Sequence, residues 1–286
     1  MLHGKENTFP IKSTLNLNGR LFDIQNTKVM GILNITTDSF YDGGKFRTAM
    51  QIIKRVEEMM REGVDIIDVG AQSTRPGAEE IPLSEELMQI QATCSLILKE
   101  FPEAILSIDT YRADVARVGF DCGALMINDI SGGTLDDQML PLVATMNIPY
   151  IIMHLKGNPK TMQNLTHYDN FIQEVILHLQ ERLFLAKELG IKDIIIDPGF
   201  GFAKSLDQNY HLLKKLSYIN ILDCPILVGL SRKSMTWKFL DISPDEALNG
   251  TTVLNTIAIM NGAKIIRVHD VKEAKQTIKL VEKTRH

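Results

Sequence analysis

From Val29 onward, short apolar runs alternate with longer stretches whose apolar residues recur every three to four positions, and each run ends in polar residues or glycine. The runs are Val29 to Leu33, Ile66 to Val69, Ile105 to Ile108, Leu125 to Ile127, Tyr150 to Met153, Ile194 to Ile196, Ile226 to Val228 and Ile265 to Val268. Helical spacing marks Thr48 to Arg61, Ser84 to Lys99, Ala113 to Cys122, Asp136 to Met146, Asp169 to Leu189, Leu206 to Leu216, Asp245 to Asn261 and Val271 to Lys283. Ser84, followed by Glu86 and Leu87, reads as the N-cap of the second of these. The rhythm predicts successive parallel βα units, and eight strands with eight helices is the count of a closed (β/α)8 TIM barrel. An open doubly wound sheet is the alternative, disfavoured by the number and length of the repeats.

The first 28 residues fall outside the repeat. Leu15 to Phe22 alternates around Asn18-Gly19, a preferred centre for a tight β-hairpin. The predicted organisation is therefore α/β: residues 1–28 form an extension whose hairpin covers the barrel's N-terminal mouth, and residues 29–286 form one barrel domain. A chain of 286 residues, 44% hydrophobic and 23% charged, suits one such unit. A formal net charge of -4 without any basic block predicts neither nucleic acid nor a membrane surface as partner. No apolar run approaches the ~20 residues of a membrane span, and MLHGKENTFPIKS lacks the apolar core of a signal peptide, so a cytoplasmic protein is expected. Cys94, Cys122 and Cys224 have no paired spacing and are expected to be reduced.

Barrels carry their chemistry at the carboxy ends of the strands. Asn34 follows the first strand, Asp68 and Arg75 close the second, and Asp109 follows the third. Asn128 and Asp129 follow the fourth, His154 and Lys156 the fifth, Asp197 the sixth, Ser231 to Lys233 the seventh and Arg267 to His269 the eighth. Any one of these is as well explained by a helix cap or a buried histidine. Eight in succession predict a polar ligand site. Asp109, Asn128 and Asp197 offer two carboxylates and an amide, which suit a flat heterocycle bearing N–H donors. Lys233, Ser234, Arg267 and His269 follow the last two strands, where barrels frequently hold phosphate.

Two polar, glycine-bearing loops, residues 34–44 and 71–78, contain Phe40 and Arg75 and suit a lid over substrate. The glycine-rich Asp197 to Phe202 lacks the spacing and partners of a P-loop or dinucleotide fingerprint, and His154, His167 and His178 share no metal-ligand spacing.

In order along the chain, MGILNITTDSFYDGG, DIIDVGAQSTRPGA, SIDTYRADVA, INDISGG, MHLKGNPKTMQ, IIIDPGFGFAKS, VGLSRKS and IRVHDV resemble the dihydropteroate synthase family of pterin-binding enzymes. The resemblance implies condensation of a pterin methyl diphosphate with 4-aminobenzoate, releasing diphosphate. It matches Asp109, Asn128, Asp197 and Lys233 to the pterin ring, Thr74 to its diphosphate-bearing arm, and Arg267 and His269 to the diphosphate itself. It matches Asn34 to a residue that binds Mg2+ with the diphosphate. Asp42 and Phe40 in the first loop, and Arg75 and Pro76 in the second, match residues that order around 4-aminobenzoate, with Ser234 near its carboxylate. A homodimer through the later helices is implied as well. Two departures bear on the loops: Thr37 stands where the family usually has proline, and Ala71-Gln72 where it usually has Gly-Glu.

The chemistry expected of the residues agrees. An arylamine already exposes its lone pair near neutral pH, so the difficult step is departure of diphosphate. Arg267, His269 and Mg2+ can stabilise the leaving charge while Asp109 and Asp197 face a transiently cationic ring, which predicts an SN1-like displacement. A methyltetrahydrofolate corrinoid methyltransferase would share the ring-facing Asp and Asn but has no use for Arg75 or for the Lys233, Arg267 and His269 cluster. A non-catalytic pterin-binding paralogue would have degraded loops, and both are full length here.

Overall fold

The computed structural model describes residues 12–35, 45–72 and 80–285. Strand β1 (Thr14–Leu17) returns antiparallel as β2 (Arg20–Asp23). Between them Asn18 and Gly19 take φ of 49° and 94°, the left-handed values that Asn-Gly supplies to a tight hairpin turn.

The barrel then follows as βα units: β3 (Lys28–Asn34), α1 (Lys45–Glu62), β4 (Ile66–Gly70), α2 (Leu83–Glu100), β5 (Leu106–Asp109), α3 (Ala113–Asp121), β6 (Met126–Asp129), α4 (Met139–Met146) and β7 (Tyr150–Met153). The second half runs α5 (Phe171–Glu188), β8 (Ile194–Asp197), α6 (Leu206–Lys214), β9 (Ile226–Val228), α7 (Ser234–Leu240), α8 (Leu248–Met260), β10 (Ala263–Val268) and α9 (Val271–Arg285). Strands β3 to β10 pair in parallel and close on themselves, β10 beside β3. The closed barrel and the separate hairpin are the predicted architecture; an open sheet is excluded by the β10–β3 ladder.

Three details depart from the sequence reading. Helix α2 begins at Leu83 with Pro82 as its N-cap, so Ser84 lies in the first turn and caps nothing. Asp136 lies before α4, not in it; its carboxylate accepts from the amides of Ala113 and Gln138. Helix α7 is additional to the eight predicted, because SMTWKFL is too short for its period to stand out.

The interior is layered. Met30, Ile66, Ile105, Met126, Ile151, Ile195, Leu227 and Ile265, all near the amino ends of the strands, form one apolar cluster with Leu15, Leu17 and Ile24 of the hairpin segment. The hairpin thus packs against the bottom of the barrel core. Side chains alternate along a strand, so the residues two positions further on share the inward face. They are Ile32, Asp68, Ser107, Asn128, Met153, Asp197, Gly229 and Arg267. An apolar floor is overlaid by a layer rich in charge, and the rim lies above that.

Candidate functional site

Arg267 on β10 reaches across this polar layer. Its Nε donates to Asp68 Oδ2 of β4 and its Nη2 to Asp109 Oδ2 at the end of β5, each at 2.6 Å. Asn128 Nδ2 of β6 donates to the same Asp68 oxygen at 2.9 Å. Asp68 is fully buried and Asp109 is 6% exposed. The second oxygen of each carboxylate, Asp68 Oδ1 and Asp109 Oδ1, is buried without a hydrogen-bond partner among the described residues. An unpaired buried acceptor on an acidic group is costly, so these oxygens are fitted to take N–H donors from a ligand. Burial pushes the Asp109 carboxyl up to about 7 against the opposing pull of Arg267.

Asp197 ends β8 and lies beside Met153 of β7 in the ladder. Its Oδ1 accepts the Gly199 amide at 2.7 Å, and burial raises its pKa while Lys233 and Arg267 oppose that shift. Lys233 is the N-cap residue of α7; its Nζ donates to Phe200 O and sits 4.7 Å from the centre of the Phe202 ring. Burial lowers the Lys233 ammonium to about 8, opposed by Asp197. Arg232, with φ of 52°, is turned away into a two-pronged pair with Asp270 at 3.0 and 2.8 Å, which leaves Ser231 and Lys233 on the barrel side of the turn.

His269 stands just past β10. Ser231 Oγ accepts its backbone amide at 3.2 Å and lies 3.0 Å from Nδ1, which fixes the orientation of the ring. Arg55 of α1 holds the His269 carbonyl. Asn34 ends β3 with its side chain exposed, paired in register with Gly70, whose Cα packs against Asp109. Ser234 is the first residue of α7 and is exposed.

Asp109, Asn128, Asp197, Lys233, Arg267 and His269 therefore converge on one end of the barrel. The division into ring-facing and phosphate-facing sets is less sharp than expected, because Arg267 touches Asp109 directly. Phe40, Asp42, Thr74, Arg75 and Pro76, with the departure at Thr37, lie outside the described residues. The departure at Gln72 lies within them: its side-chain oxygen accepts the Ile81 amide at 2.8 Å, joining the residues on either side of the second loop. Asp68 and Phe202 were not assigned to the site from sequence. Asp68 had a usable signal, since it stands two residues after the inward-facing Ile66.

His154 is buried away from this cluster, bonded through Nδ1 to Lys204 at 2.9 Å. No group of three or more His, Cys, Asp or Glu suited to a metal occurs among the described residues. A dedicated metal cage is not what they form; Asn34 fits only a hard cation that arrives with phosphate oxygens.

Residues 30–269 match the pterin binding enzyme family. A dihydropteroate synthase from Synechocystis sp. is 45% identical over 266 residues, covering 92% of this chain and 92% of its own. Among solved structures, a Yersinia pestis dihydropteroate synthase in complex with a sulfonamide drug superposes with a TM-score of 0.89 at 38% identity, over 95% of this chain and 99% of that one. A Xanthomonas albilineans dihydropteroate synthase with 4-aminobenzoic acid gives 0.87 at 34% identity, over 96% and 98%.

Proposed function

The chain belongs to the dihydropteroate synthase family of pterin-binding enzymes, and on that premise we infer that it is a transferase joining (7,8-dihydropterin-6-yl)methyl diphosphate to 4-aminobenzoate. The bond from the pterin methylene carbon to the diphosphate oxygen breaks, and a bond from that carbon to the arylamine nitrogen forms. The nitrogen loses a proton, giving 7,8-dihydropteroate and diphosphate. The observation that carries this reading is the pair of unpartnered carboxylate oxygens on Asp68 and Asp109, bridged by Arg267.

Asp109, Asn128, Asp197 and Lys233 would hold the ring. The carboxylates accept its N–H groups and, being fixed in a buried layer, favour positive charge building on ring and methylene. Arg267 and His269 would bind the diphosphate and favour negative charge building on it. Charge of opposite sign stabilised at both ends of the breaking bond supports an SN1-like displacement. By resemblance to the family Asn34 would share Mg2+ with the diphosphate, where the ion would neutralise phosphate charge. Thr74 belongs with the diphosphate arm, and Phe40, Asp42, Arg75, Pro76 and Ser234 with 4-aminobenzoate, by family resemblance. Three unpaired cysteines suit a cytoplasmic location. Phe239, Val253, Ile257 and Met260 expose large apolar side chains on α7 and α8, which supports a homodimer through these helices.

The test is diphosphate release from the pterin substrate plus 4-aminobenzoate, with the wild type and Arg267→Ala. Release that requires both substrates and is nearly abolished in the variant is expected. No release by the wild type would overturn the function, and an unchanged variant rate would remove Arg267 from it.

A further inference from the structure

Lys204 lies behind the site, 4% exposed, and its Nζ is surrounded by three polar atoms. Gly199 O is at 2.8 Å, Phe202 O at 3.0 Å and His154 Nδ1 at 2.9 Å. Burial in this pocket pushes the Lys204 ammonium well below its usual range. Its Nζ meets three polar partners at one point, which no apolar side chain could gather.

The segment that these bonds hold is the turn after β8. Gly199, at φ of 72°, is pressed so closely on the His154 carbonyl that a Cβ would collide with it. Asn209 Oδ1 takes the Gly201 amide at 2.7 Å, and Tyr168 Oη donates to Ala203 O at 2.8 Å. The turn's other side meets Lys233, through the bond from Nζ to Phe200 O, the Phe202 ring at 4.7 Å and the close approach of Gly201 to the lysine stem. Its first amide, Gly199 N, is the donor that orients Asp197.

We infer that Lys204 is a positioning residue: by tying Gly199, Phe202 and His154 together, it holds the turn of residues 199–203 in the shape that sets Asp197 and Lys233 against the pterin ring. This rests on the reading of Asp197 and Lys233 as ring-binding groups. Arg267 and His269 come from β10 and do not depend on the turn, so the effect should be confined to the ring half of the site.

Lys204→Met keeps the unbranched stem of the side chain and removes Nζ with its three polar contacts. Titration calorimetry with 6-hydroxymethyl-7,8-dihydropterin and, separately, pyrophosphate reads the two halves apart. The expected result is ring affinity weakened at least about tenfold with pyrophosphate affinity unchanged, together with a lower kcat for diphosphate release. A folded variant with unchanged ring affinity, or with both ligands weakened alike, would overturn the positioning role, since a purely structural lysine would lower only the melting temperature and the active fraction. If Lys204→Met does not fold, His154→Leu decides: it leaves two of the three bonds, a loss of roughly threefold to tenfold in ring affinity is expected, and no loss refutes the proposal. Wild-type protein that fails to bind the pterin at all would sink the proposed function itself, a different outcome from either.

Discussion

Replacing Arg267 by Met removes the cation that, among the described residues, bridges Asp68 and Asp109, while keeping the apolar stem of the side chain. Both bonds are 2.6 Å long, Asp68 is fully buried, and the guanidinium has 21% of its side-chain surface exposed. Breaking a buried ion pair by deleting one partner costs about 3–5 kcal/mol, because the remaining charge has neither water nor a counter-ion. Two carboxylates then stand together in a buried layer without the cation between them, so the Asp109 pKa, already raised by burial, rises further above the unfolded value near 3.9. For a carboxylate shifted in that direction, stability is retained below the unfolded value and lost as pH rises through the folded one. The destabilisation should therefore approach its full size at pH 8 and shrink toward pH 5. Urea unfolding followed by fluorescence of Trp237, the single tryptophan, measures this at both pH values. Adding Asp68→Asn to Arg267→Met should cost less than the two single losses combined. A loss below ~1 kcal/mol at pH 8, or one independent of pH, would refute the bridging role.

Pterin affinity should rise with pH up to about 7 and level off above it, because N–H donors require the Asp109 carboxylate, whose pKa burial pushes up to about 7. Below that the dissociation constant should worsen by up to about tenfold per pH unit, and Asp109→Asn should flatten the profile; a flat wild-type profile would contradict the assignment. Tyr150→Phe removes a 2.6 Å bond to the buried Asp129, which also takes the Ser131 and Gly133 amides and the Ser131 hydroxyl. The expected loss is about 1.5–3 kcal/mol of unfolding free energy with pyrophosphate affinity unchanged, and urea unfolding plus calorimetry would expose any other pattern. Gly119→Ala would drive a methyl into Ile108, the β5 residue before Asp109, costing roughly 1–3 kcal/mol by overpacking; a neutral melting temperature would show that the α3–β5 contact is looser than it stands.

The barrel was legible because strands covered on both faces read as unbroken apolar runs, with polar residues only where each run ends. Asn128, Asp197 and Lys233 were singled out from that position alone, and the structure brings them to one end of the barrel. Asp68 was counted among the strand-end polar groups but given no role of its own, because DIIDVG places it inside an apolar run and only the inward phase set by Ile66 points it into the site. The contact of Arg267 with Asp109 could not be read from strand order, since the two belong to the last and the third barrel strands. Closure brings β10 round to β3, and the long arginine side chain spans the remaining distance across the interior. Lys204 was overlooked for a related reason: in a glycine-rich stretch a lysine reads as solvated, and its burial depends on the return of His154 from another strand.

The most direct measurement of the central claim is a crystal structure of the protein with (7,8-dihydropterin-6-yl)methyl diphosphate bound. The ring should lie within the inward polar layer with its N–H groups on Asp109 Oδ1 and the Asp197 carboxylate, and the diphosphate should sit on Arg267 and His269. A ring bound elsewhere, or a diphosphate that leaves Arg267 untouched, would contradict the account.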